Sequence, residues 1–170
     1  MKGITMEKNN SILIHMNETT SFPAELIDWV KGKNISIEFQ MGQNVSWILQ
    51  GKDILETGNT DLDMKAEVHW EELQLTFTEK PDQNYHVVKF IMKHKGKLGL
   101  IAGLRFVVGE TYTGACANLF YCNEIQGTYE YMGTEAVDEN GTVEFPIAFG
   151  ATYLVVMNAV PITQDILSIC

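Results

Sequence analysis

The chain is poor in cations, prolines and cysteines, and each shortage removes a class of protein. Lysine and arginine together number 12 against 22 aspartates and glutamates, a formal net charge of −10 at pH 7. A nucleic-acid partner calls for a basic face, so none is expected. Only 4 prolines, beside 45% hydrophobic and 20% charged residues, exclude a proline-rich or disordered chain. The longest apolar run, residues 98–104, falls far short of the ~18 residues a membrane helix requires, so membrane insertion is not expected. Residues 1–10 hold no apolar segment of the kind that drives secretion, and no signal peptide is expected within this chain.

Three cysteines are too few for a disulfide framework. Cys116 and Cys122 stand in one expected strand, which separates them by roughly 20 Å at ~3.3 Å per residue. That exceeds the ~7 Å between Cα atoms a bridge tolerates, so the two cannot pair with each other. Cys170 is left free or paired with either, and three reduced thiols are the expected state.

What the sequence does have is alternation. Ile35, Ile37, Phe39 and Met41 alternate with Ser36, Glu38 and Gln40, and after Gly42-Gln43-Asn44 the pattern resumes at Val45, Trp47 and Leu49. Further period-2 runs are Ala66-Val68-Trp70, Leu73-Leu75-Phe77, Val88-Phe90-Met92, Val143-Phe145-Ile147-Phe149 and Tyr153-Val155-Met157. Such spacing turns one side of a strand to the core. Residues 115–122 are apolar on both faces except at Asn118, which marks a central strand. His94-Lys95-Gly96-Lys97 and Asp138-Glu139-Asn140-Gly141 read as turns. Leu26, Ile27 and Val30, between Pro23 and Gly32, have helical spacing.

The expected fold is all-β: an antiparallel β-sandwich of about ten short strands, immunoglobulin-like or jelly-roll-like, with one capping helix near residues 22–31. A chain of 170 residues can bury roughly 70% of its unfolded surface and needs no metal to fold. Residues 1–10 are expected to be a disordered or appended N-terminus, 11–160 a single domain and 161–170 a tail.

Residues 34–54 (NISIEFQMGQNVSWILQGKDI) and, more strongly, 117–157 (ANLFYCNEIQGTYEYMGTEAVDENGTVEFPIAFGATYLVVM) resemble accessory β-sandwich modules of secreted and cell-surface multidomain proteins of anaerobic Gram-positive bacteria. Those modules stand beside glycoside hydrolase, dockerin or wall-anchor domains. The resemblance implies an exported parent protein, an extracellular or cell-surface location, and neighbouring domains as partners. It carries no catalytic residue across, and the Cys116/Cys122 pair is not a feature of the group.

The chemistry-bearing residues are few. His15, His69, His86 and His94 form no zinc motif, and no nucleophile elbow, phosphate loop or dinucleotide fingerprint occurs. No catalytic residue and no cofactor is expected, and the chain is expected not to be an enzyme. Asn59, Asp61 and Asp63 place three oxygen ligands at alternate positions, as in the first half of a calcium loop, but Met64 replaces the required glycine and no Glu closes the loop. A polar loop is the plainer account.

Sugar binding asks for an exposed ring with amide or carboxylate partners. Alternation assigns Trp47 and Trp70 to the core, and Trp29 lies beside the helix stripe. The loop aromatics Tyr85, preceded by Asn84, and Tyr112 are therefore the candidates. Lys89, Lys93, Lys95 and Lys97 gather around one expected hairpin, while residues 106–170 carry eight acids and no base. Lys93 and Lys95 could meet a cell-wall polymer or other anionic polysaccharide; the plainer account is that they answer the acidic half and keep an edge soluble. The leading expectation is a non-catalytic structural or interaction module. A carbohydrate-binding module stacking a glycan on loop tyrosines comes second, and a small hydrolase without a recognisable motif third.

Overall fold

The computed structural model of the 170-residue chain describes residues 4–7, 10–17, 19–56, 61–79 and 82–167. It is all-β with one short helix, α1 (Ala24–Val30). The strands are β1 (Ile4–Glu7), β2 (Ser11–His15), β3 (Ser21–Phe22), β4 (Ser36–Gly42), β5 (Val45–Gln50), β6 (Leu62–Asp63), β7 (Ala66–Leu75), β8 (Gln83–Val107), β9 (Cys116–Asn123), β10 (Thr128–Ala136) and β11 (Thr142–Asn158). Two single turns of 3-10 helix, Gly51–Asp53 and Glu110–Tyr112, interrupt the connections.

The chain forms two compact units: residues 1–65, 93–107 and 144–150 make unit 1, and residues 66–92, 108–143 and 151–170 make unit 2. β8 and β11 contribute a segment to each.

In unit 1 the strand order runs β1-β2-β4-β5-β8. The β4–β5 hairpin turns at Gln43 and Asn44, both with positive φ. The register sets Ile14 beside Phe39, Phe39 beside Trp47, and Trp47 beside Leu104. All four are buried, so the period-2 pattern of the sequence becomes one apolar sheet face. Phe22 stacks on Phe39 with ring centroids 3.8 Å apart. α1 turns Ile27 and Val30 inward and begins after Pro23, whose fixed φ suits a helix start. One pairing departs from expectation: β2 and β4 are parallel, so the sheet is mixed rather than purely antiparallel.

On the opposite face of unit 1, Arg105 forks between two carboxylates. Its Nη1 donates to Glu38 at 2.9 Å and its Nη2 to Glu144 at 3.0 Å. The Glu144 side chain lies over Gly103, where a Cβ would collide with the carboxylate.

The expected turn at residues 94–97 is absent. β8 runs through it as a 25-residue strand. Gly96 (φ 98°) and Gly99 (φ 79°) take up left-handed backbone, which glycine adopts without a steric penalty and which lets a strand kink without reversing.

In unit 2, β7 pairs antiparallel with residues 83–92 of β8, and β9 lies between β11 and β10. Its core holds Leu75, Phe77, Tyr85, Val87, Phe120, Cys122, Tyr129, Leu154, Val156, Ile162 and Ile166. Asn118, fully buried, is the pin of this unit. Its Nδ2 donates to the Val156 carbonyl at 3.0 Å, and its Oδ1 accepts from Thr134 at 2.7 Å and from the Ile162 N–H at 2.8 Å. The polar exception in an apolar strand is there to fasten three separate segments. Cys116 is free, as expected of a residue unable to reach Cys122. Cys122 is disulfide-bonded, which corrects the expectation of three reduced thiols. Cys170 lies outside the described residues.

Candidate functional site

Trp70 and His86, both exposed, share one sheet face of unit 2, and the half-buried Tyr112 adjoins it. In the β7–β8 ribbon Trp70 pairs with Val88, Glu72 with His86 and Gln74 with Asn84. Directly opposed residues of an antiparallel pair point to the same side, so all six share a face. At its inner end Val88 and Phe90 are buried. Toward the other end Glu72, Gln74, Asn84 and His86 are exposed, and Trp70 is 42% exposed.

Tyr112 reaches this surface from the 3-10 turn, its ring edge-to-face with His86 at a centroid distance of 6.1 Å. The turn is held from below. The Val108 and Gly109 N–H groups donate to the Gly141 carbonyl at 2.8 and 3.1 Å. Gly141 (φ 69°) sits so close to the Gly109 and Glu110 backbone that a Cβ there would overlap both. The face thus joins a Trp, a His and a Tyr to a carboxylate and two amides.

Two of the sequence-based assignments are corrected here. Tyr85 is not a loop aromatic. It belongs to β8, is 5% exposed, and meets Phe77 edge-to-face at 5.7 Å within the core, because the odd positions 85 and 87 point to the side opposite Asn84 and His86. Trp70, assigned to the core by alternation with Ala66 and Val68, lies where the face emerges into solvent. Asn84 and Tyr112 stay at the surface; His86, Glu72 and Gln74 were not singled out from the sequence. Trp47 is fully buried, as expected. Trp29 is half-exposed and carries the Lys33 ammonium 4.2 Å above its ring.

Unit 1 brings other candidates together. Asp61, Asp63, His94 and Lys97 line a cavity of about 330 Å³ with Ile27, Leu98 and Leu100. The two aspartates are already engaged in the fold. Asp61 Oδ1 accepts the Ala24 N–H at the start of α1 at 3.0 Å, and Asp63 Oδ1 accepts from Thr20 at 2.9 Å and the Lys65 N–H at 3.0 Å. The Lys65 N–H, then the Thr20 hydroxyl, with Lys93 and Lys65 nearby, hold the Asp63 carboxyl below its ordinary range. Among the described residues no three His, Cys, Asp or Glu side chains converge as metal ligands. Asn59, the third residue of the calcium pattern, lies outside the described residues.

Lys93 and Lys95 are exposed on β8, with Lys93 close enough to Asp63 to act on it. Lys89 does not join them; it is hydrogen-bonded to Tyr129 in unit 2. A second cavity of about 270 Å³ adjoins the first through Lys97, Gly99 and Leu100, and its walls include Leu55, Ile101 and Phe149.

Searches of protein families, curated proteins and solved structures return no match to this chain.

Proposed function

We propose that this chain is a non-catalytic β-structural interaction module of an exported, cell-surface protein, and that the exposed β7–β8 face of unit 2 takes a glycan. The observation that carries the reading is the joint placement of Trp70, His86 and Tyr112 beside Glu72, Gln74 and Asn84. A sugar ring presents an apolar C–H face and a rim of hydroxyls. Aromatic rings cover the first, and amides or carboxylates bond the second. The disulfide at Cys122 supports export, because disulfides persist in oxidising compartments.

Isothermal titration with soluble starch, xylan and β-glucan tests the reading. At least one should bind, with Trp70→Ala and Tyr112→Ala each weakening binding by about 1 kcal/mol and Tyr85→Phe leaving it unchanged. Affinity for a neutral glycan should hardly respond to salt, since no ion pair forms. Absence of heat with every glycan contradicts it.

A further inference from the structure

We infer that the β7–β8 face selects glycans bearing protonated amines, such as polymers of glucosamine, over both neutral and acidic ones. The inference rests on the glycan reading above and adds the ligand class.

The charge of the chain is gathered in one unit. The eleven carboxylates from Glu67 to Glu139 and Asp165, twelve in all, fall in unit 2, while among its described residues the single Lys or Arg is Lys89. That lysine does not reach the face. It stands at an odd position of β8, turned to the side of Tyr85 and Val87, and is bonded to the Tyr129 hydroxyl.

One carboxylate stands on the face and a second opens the neighbouring turn. Glu72 is the direct cross-strand partner of His86, and Glu110, exposed, opens the same 3-10 turn that presents Tyr112. Aromatic rings flanked by carboxylates, with no Lys or Arg among the described residues of the face, match an amino sugar, whose ring face stacks while its ammonium meets Glu72 or Glu110. Uronic acids would meet the same carboxylates with like charge. Each such pair is solvent-exposed, so it contributes little alone. A polymer repeats the contact, and the surrounding negative potential of unit 2 adds to it at low salt.

The test compares two ligands of identical backbone: fully deacetylated glucosamine oligomers and their N-acetylated counterparts, with cello-oligosaccharide and oligogalacturonate alongside. Titrations run in slightly acidic buffer, where the amines are charged. The deacetylated oligomer should bind several-fold tighter than the acetylated one at about 0.05 M salt, and the difference should vanish at about 0.5 M. Oligogalacturonate should be weakest. The double variant Glu72→Gln, Glu110→Gln should equalise the deacetylated and acetylated oligomers, whatever it does to the affinity they share. Equal affinity for the matched pair at low salt in the unaltered protein, or tighter binding of oligogalacturonate, overturns the charge selection and leaves the glycan reading standing. No binding to any of the four overturns both.

Discussion

Asn118 is where the sequence breaks its own rule, and the structure gives the reason. A fully buried amide is costly unless every bond is made, and this one bonds Val156, Thr134 and Ile162. Asn118→Ala would leave the Ile162 N–H and the Val156 carbonyl short of partners inside the core. The expected loss is about 1–3 kcal/mol, read as a shifted urea midpoint with unchanged slope; an unchanged midpoint would show that water replaces the amide. The cysteines offer a second check at this scale. With Cys122 bonded and Cys116 free, thiol titration of the denatured, non-reduced protein should count one thiol per chain. Three would mean that no disulfide forms.

At the scale of elements, alternation was the most legible signal. Ile37, Phe39, Trp47 and Leu49 reached the core of unit 1 as their spacing required, and α1 formed between Pro23 and Gly32. Other features had no local signature. The parallel β2–β4 pair is a matter of which strands meet, which period-2 spacing does not encode. The Gly96 and Gly99 kinks carry the same residues as a turn, so composition alone could not separate a bend within β8 from a reversal.

The turn that presents Tyr112 depends on Gly141 in the same way. Gly141→Ala would combine a disfavoured positive φ with overlap on the Gly109 and Glu110 backbone. It should cost at least about 1 kcal/mol of stability. By shifting the 3-10 turn it should also weaken glycan binding, although residue 141 is not part of the binding face. Thermal unfolding and titration on the same sample check both. Normal binding would mean that Tyr112 keeps its position without this support.

At the scale of the whole molecule, the site was only half visible in the sequence. Asn84 and Tyr112 could be named because polar neighbours surround them. Trp70 and Tyr85 were exchanged, and for one reason: alternation gives the side of a strand but not where along its length that side stops being covered. On the face shared by Val88, Phe90 and Trp70, the first two are buried and the third is 42% exposed. The charge asymmetry was readable as an acidic C-terminal half, yet only the two-unit division shows that it accumulates in the unit that carries the aromatic face. In unit 1, by contrast, Arg105 is paired with Glu38 and Glu144.

The most direct test of the account is a map of the protein's amide resonances during titration with a glycan that binds. The account predicts the largest shifts at Trp70, Glu72, Gln74, Asn84, His86 and Tyr112, with residues lining the unit 1 cavities, such as Leu98 and Ile101, unmoved. Shifts centred on Leu55, Lys97 and Phe149, with Trp70 and Tyr112 unperturbed, would contradict it.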